Sequence, residues 1–343
     1  MPIERTTGRR SMGQTLRKPP ERYREVVQRA AGFIQRHQLP SGAIPYYEGG
    51  VTDPWDMVEC AIALDLCGHS EQAAAAYRWL RTRQNADGSW FYQYLGDEPQ
   101  DHAKDSNHSA YVATGVWQHY LATHDEAFLA EMWPAVDLGV QFALDLQRPD
   151  GEIFWARDGG NQPWPGAVLT GSSCTWRSVS HAIAIAGVLG HDRRRWSEAN
   201  AKLETAIRAR PWLFDRHGEN ARRYAMNWYY PVMCGVLTGE EASRRLQAEW
   251  HDFVIEGWGC RCSLDQPWVT VAETCELAMA LTNLGRRDQA AALLDWTIQL
   301  LDDDGGFWTG INVDERTIWP PGEKTTWTAA AAIMSMVALA DQR

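Results

Sequence analysis

Two short stretches carry carboxylates at helical spacing: Asp53, Asp56 and Glu59 in TDPWDMVE, and Glu273 and Glu276 in WVTVAETCE. Residues three or four apart share one face of a helix, so each stretch can aim its acids in one direction. Two carboxyl groups on opposite sides of a sugar are what glycosidic cleavage requires. One protonates the leaving oxygen, and the other serves as base or nucleophile. Glu273 opens a helix that continues TCELAMAL, among the least polar in the chain. Its carboxyl is either open to a cavity or desolvated, and desolvation raises a carboxyl pKa as a general acid requires. Asp53 precedes Pro54, the pattern of an N-cap with proline at the first helical position, and capping alone accounts for it. Asp56 falls at the third position, where a carboxylate favours the helix dipole. Glu59 and Glu276 lie deeper, where a buried, hydrogen-bonded acid is the plain alternative. Their separation is not legible in sequence, so inversion and retention both stand.

The aromatic residues narrow the ligand. Eighteen Trp against eight Phe is unusual. Many of the Trp fall in loops or at helix starts, among Asp, Asn, Glu and Tyr. Flat faces beside hydrogen-bonding groups suit sugar rings, whereas a prenyl pocket calls for Phe and Leu. Candidate substrate contacts are Trp55, Trp90, Trp268, Trp308, Trp319 and Trp327, with Asp56, Glu59, Asn107, His108, Ser172, Ser173, Asn227, Tyr229, Tyr230, Glu276 and Lys324. Some of the Trp must instead brace the fold. Asp302 to Asp304 precede Gly305-Gly306 and read as an exposed turn. His69, His191, His217 and His251 fall in loops or helix ends.

Other chemistries lack their signatures. GxSxG, P-loop and HExxH patterns are absent, and Cys260-Arg-Cys262 has no second ligand pair for zinc. No metal and no cofactor are expected. A net charge of -11 disfavours nucleic acid and anionic membrane, whose phosphates are bound through Lys and Arg. The seven Cys are odd in number and scattered through helical segments, which points to reduced thiols and a cytosolic location. The first twenty residues are basic without an apolar core, so they read as a flexible segment rather than a secretory signal.

Periodic apolar spacing predicts twelve helices, near 21–37, 54–67, 71–84, 107–121, 126–147, 173–189, 195–209, 227–237, 240–252, 271–284, 286–301 and 325–341, with few strands. They alternate between helices with a charged face and helices rich in Ala, Ser, Cys and Met. A helix apolar on most of its circumference must be surrounded by others. Six such pairs make an inner and an outer ring, a single all-α (α/α)6 toroid over residues 21–343. The inner helices should start at Asp53, Asn107, Ser172-Ser173, Asn227, just before Glu273, and at Thr325. Residues at those starts converge on one rim, and Asp53 and Glu273 could face each other there across a groove.

A punctuation repeats with the helices: WLRTRQNADGSW at 79–90, LQRPDGEIFW at 146–155 and LLDDDGGFW at 300–308. It resembles the QW motif of terpene-cyclase and prenyltransferase-like toroids, in which Gln and Trp brace the barrel and do no chemistry. The isoprenoid alternative that this implies lacks the DxDD proton donor, and Asp65-Leu66-Cys67 lies at the closed end of its helix. A broader resemblance runs through DPWDMVECAIALD, RQNADGSW, VLTGSS, MNWYYPV, WVTVAETCELAMAL and EKTTWTAAA, over nearly all of residues 20–340. These segments look like an actinobacterial group often labelled prenyltransferase that includes the mycobacterial methylmannose polysaccharide hydrolases. The resemblance implies endo-hydrolysis of α-1,4-linked 3-O-methylmannose chains. It carries the catalytic carboxylate pair to Asp53 and Glu273 by their motif positions, with a polysaccharide as partner. A non-enzymatic carbohydrate-binding toroid would bind without turnover.

Overall fold

The computed structural model of the protein describes residues 18–215 and 221–340. The flexible segment expected at 1–20 lies, up to residue 17, outside the described residues, as does His217. In chain order the helices are α1 (Arg24–His37), α2 (Pro54–Leu66), α3 (Ser70–Arg83), α4 (Ser106–Thr123), α5 (Glu126–Leu144), α6 (Leu169–Leu189), α7 (Arg194–Ala209), α8 (Ala225–Met233), α9 (Gly239–Ala248), α10 (Trp250–Phe253), α11 (Val271–Asn283), α12 (Arg287–Thr297) and α13 (Thr326–Ala338). Each of the twelve expected helices is present, the stretch expected at 240–252 being divided into α9 and the short α10.

The packing follows the alternation in polarity. Helix α2 packs on α4, α4 on α6, α6 on α8, α8 on α11, α11 on α13, and α13 returns to α2, so six helices contact one another in a closed cycle. The charged helices α3, α5, α7, α9 and α12 each pack on the preceding cycle member, and α1 covers α13. The run Ala329 to Ala332 on α13 is completely buried. Side chains that small permit close approach on several sides at once.

The repeated turn explains how the outer helices are spaced. Gln84, just past α3, donates from its amide to the carbonyl oxygens of Gly88 at 2.9 Å and Ala135 of α5 at 2.9 Å. Gln147, beyond α5, does the same with Gly151 at 3.0 Å and Ala199 of α7 at 2.9 Å. Each turn places a glycine at positive φ against the next outer helix: Gly88 on Leu138, Gly151 on Lys202 and Gly305 on Arg29. A fourth copy escapes sequence inspection. In QLPSGA at 38–43, Gln38 donates to Gly42 and Gln72, and Gly42 abuts Ala75 of α3. That copy has Ser-Gly for Asp-Gly and Tyr46 at the place of Trp155, and its glycine again takes positive φ.

The all-α expectation needs a correction, because small sheets are present. Strands β1 (Gln93–Leu95) and β2 (Glu98–Asp101) form a hairpin. A three-stranded sheet joins β3 (Lys104–Asp105), β4 (Ala156–Arg157) and β5 (Pro163–Trp164). A five-stranded antiparallel sheet joins β6 (Val254–Ile255), β7 (Gly259–Arg261), β8 (Trp268–Thr270), β9 (Trp308–Asn312) and β10 (Thr317–Lys324), in the order β10-β9-β8-β7-β6. Most of these strands are too short to show a period of two. Strand β10 contains Pro320, Pro321 and Gly322, which read as loop and are tolerated because it is an edge strand. The sheet matters for the site: β8 runs directly into α11, and β10 leads into α13.

Candidate active site

The first two turns of five cycle helices meet through direct contacts. Glu59 of α2 accepts from the Trp55 indole at 3.0 Å and the Tyr111 hydroxyl of α4 at 3.0 Å on one oxygen, and from the Trp327 indole of α13 at 2.8 Å on the other. The Trp55 ring stands edge-on to Tyr230 of α8 at 6.0 Å, although α8 lies opposite α2 in the cycle. Tyr230 donates to Glu276 of α11 at 2.6 Å, and Tyr229 donates to the second oxygen of the same carboxyl. Both oxygens of Glu59 and both oxygens of Glu276 thus accept from protein donors. They and the two tyrosines, all expected as substrate contacts, are buried and build a floor beneath the helix mouths, the arrangement in which a buried, hydrogen-bonded acid was the plain alternative for Glu59 and Glu276.

The electrostatics of this floor follow from burial among like charges. Burial pushes the Glu59 carboxyl up to about 7 from 4.5, despite its three donors. Burial and then the Glu59 charge raise Glu276 well above the usual range. Asp56 is raised by burial first, then by Asp53 and Glu59, with a contribution from Glu276. The acids of α2 and α11 thus share one electrostatic neighbourhood, although a long stretch of chain separates them.

A stability prediction follows from Glu59. Its native pKa lies above the unfolded value, so between pH 4.5 and about 7 the native state binds more protons, and stability falls as pH rises. The loss should approach about 3 kcal/mol above pH 7. Glu59→Gln should flatten that fall in chemical denaturation followed from pH 5 to 8. An unchanged pH profile in the variant would exclude Glu59 as the titrating group.

Asp53 caps α2, its Oδ1 accepting from the Asp56 N–H at 2.8 Å, and its Oδ2 accepts from the Tyr46 hydroxyl. Glu273, on the first turn of α11, is buried. Burial and then the Glu273 charge push the Cys262 thiol upward. Asp56 is only partly enclosed, in contrast to Asp53 and Glu59. Three acids, Asp53, Asp56 and Glu273, therefore stand at the mouths of α2 and α11 above the floor acids Glu59 and Glu276, so both helices offer carboxyl groups to one site. Among the described residues no cluster of His, Cys, Asp and Glu is arranged to hold a metal ion.

No family model matches the chain. It is 44% identical over 320 residues, covering 93% of this chain and 86% of the other, to the MMP endo-(1,4)-3-O-methyl-alpha-D-mannosidase of Mycolicibacterium hassiacum. The chain belongs to that mannosidase family. Among solved structures, a wild-type glycosidase matches with TM-score 0.71 at 15% identity, over 92% of this chain and 95% of that one. The GH63 mannosylglycerate hydrolase of Thermus thermophilus, in complex with glucose, matches with TM-score 0.67 at 12% identity, over 91% and 99%. Those two likenesses speak to the fold. Membership of the mannosidase family sets aside the isoprenoid alternative drawn from the QW-like turn.

The remaining expected residues of this mannosidase-family chain divide sharply. Trp90 is completely buried, its indole donating to the Leu80 carbonyl at 2.7 Å, so it braces the turn and is unavailable to substrate. Ser173 is buried with its hydroxyl on the Leu169 carbonyl at 2.7 Å. Lys324 turns outward to Asp302 at 2.6 Å and to Asp304, over the Trp308 ring at 4.7 Å, which fixes a surface turn. Asn227 donates to Asp215 at 2.7 Å. Trp268 and Trp319 stack at 3.9 Å across the five-stranded sheet and remain partly exposed. Trp55, Asn107, His108 and Ser172 gather between the mouths of α2, α4 and α6, with His108 stacked on Tyr92 at 4.8 Å.

Several residues of the site were not anticipated. The cap of α4 is Asp105, which accepts from the N–H groups of Asn107 at 2.6 Å and His108 at 3.1 Å. This corrects the placement of the cap at Asn107 and leaves its side chain for other use. Helices α6 and α8 start at Leu169 and Ala225, before the serines and Asn227 expected to cap them. Tyr46, Tyr92 and Tyr111 also belong to the site. Asp105 had a usable signal, an Asp two residues ahead of an Asn in a polar loop. The tyrosines had none, because their partners lie in other elements.

Proposed function

We propose that this protein is an endo-acting glycoside hydrolase that cleaves internal α-1,4-mannosidic bonds in chains of 3-O-methylmannose, with Asp53 and Glu273 as its carboxylate pair. The relationship at 44% identity over 93% of the chain carries the substrate class. The convergence of α2 and α11 acids on one aromatic floor supports the reaction type. The closed cycle of six helices wrapped by partners supports an (α/α)6 toroid, one domain spanning 21–343. The acids sit at one end of that cycle, where a polysaccharide can lie across the mouth.

In this reading one carboxylic acid protonates the glycosidic oxygen, and an ionised carboxylate activates water or attacks the sugar carbon. The Tyr46 hydroxyl and the Asp56 N–H both donate to Asp53, which fixes the orientation of its carboxyl group. The products are shorter oligosaccharides that can prime new synthesis in the cytosol. No helix among the described residues is long and apolar enough to cross a membrane. Incubation with a panel of α-1,4-mannosides, methylated and plain, with products followed by mass, tests the proposal. Internal cleavage of the methylated members is the expected result, and release of single sugars from an end, or no release at all, would overturn it.

A further inference from the structure

The mouths of α2, α4 and α6 enclose a pocket of about 210 Å³. Asn107 forms part of its wall and is only 2% exposed, yet neither its amide nitrogen nor its amide oxygen has a partner among the described residues. A buried donor and acceptor on one side chain, both unmet, is a state that folded proteins avoid unless a ligand or water completes it. Of the neighbouring polar groups, Asp105 Oδ1 accepts from two backbone N–H groups and the Trp55 indole N–H is held by Glu59, while His108 Nδ1 is, like the Asn107 amide, buried without a partner among the described residues. Trp55 is the wall shared with the floor, so the pocket opens beside the acids of α2. Ile153 and Val168 give the pocket a side without polar side-chain atoms.

We propose that this pocket is a subsite for one 3-O-methylated mannosyl ring adjoining the cleavage point, its hydroxyls on the Asn107 amide and its methoxy group against Ile153 and Val168. The proposal rests on the hydrolase reading above and assigns where methylation is read. An amide that both donates and accepts matches sugar hydroxyls, which do the same. A methyl ether donates no hydrogen bond and is at ease on an aliphatic wall. A free hydroxyl in the same place is desolvated without a partner, and that difference discriminates against the plain sugar.

Two substitutions test it in the full-length protein on matched methylated and plain α-1,4-mannotetraosides. Asn107→Ala removes the unmet groups and should leave the melting temperature unchanged or higher, while lowering kcat/KM on the methylated substrate about 10- to 100-fold, mainly through KM. Gly171, in the first turn of α6, also lines the pocket, and an added Cβ there would meet only the Asn107 Cβ, at 3.5 Å. Gly171→Ala therefore folds, and should reduce the preference for the methylated over the plain substrate about threefold or more. Wild-type kcat/KM and preference in both variants would mean that the pocket holds only water, and would overturn the proposal while the hydrolase reading stood. Should the wild type cleave no mannoside, the hydrolase reading fails by itself. Saturation-transfer NMR with methyl 3-O-methyl-α-mannoside then decides the pocket: binding lost in Asn107→Ala upholds it, and no binding to the wild type overturns it.

Discussion

Asp53→Asn should lower turnover of a methylated mannoside by about 10²- to 10⁴-fold while leaving the melting temperature nearly unchanged. The substitution separates the two uses of this side chain. Asn caps a helix about as well as Asp, so the bond from the Asp56 N–H survives and α2 keeps its start. What is lost is the ionisable group. If Asp53 only capped, both stability and rate would survive, and the catalytic assignment would fall. Glu273→Gln should cost a comparable factor, since it preserves shape at a buried site and removes the ionisable group. The companion variant Asp56→Asn assigns the proton donor. Burial, Asp53 and Glu59 push its carboxyl upward, so it is the alternative acid on the same helix. A rate abolished in Asp56→Asn but retained in Asp53→Asn would move the role three residues along.

Gly88→Ala should destabilise the protein by about 2–4 kcal/mol without touching the site. Gly88 has φ +87°, a conformation costly for any residue with a Cβ, and the added methyl would overlap the Leu138 carbonyl of the next outer helix. Gly96→Ala is the control. Gly96 is also at positive φ, but its Cβ would meet open space, so only the conformational cost of about 1–2 kcal/mol applies. Thermal or denaturant unfolding of the pair reads the difference. Equal losses in the two variants would mean that close packing of the turn on α5 contributes nothing, and the brace account of the repeated motif would be wrong. Gly151→Ala should behave as Gly88→Ala does, because Gly151 repeats the geometry against α7.

The helices, their alternation and the Asp-Gly turns were legible because each is written locally: apolar residues at i and i+4, a proline after a cap, a glycine where φ must be positive. The carboxylates at Asp53, Asp56, Glu59, Glu273 and Glu276 were legible as a set for the same reason, since helical spacing alone puts them on common faces. Tertiary structure decided what each of them meets. Trp327 and Tyr111 come from other helices to Glu59, Tyr229 and Tyr230 come to Glu276, and Tyr46 comes to Asp53, so acids alike in type and spacing acquire different surroundings. Trp90 reads like any tryptophan of a loop, yet it lies under the turn with its indole on Leu80. Hydrogen-bond partners and burial are set by what lies across space, and a single chain read in order carries no record of that.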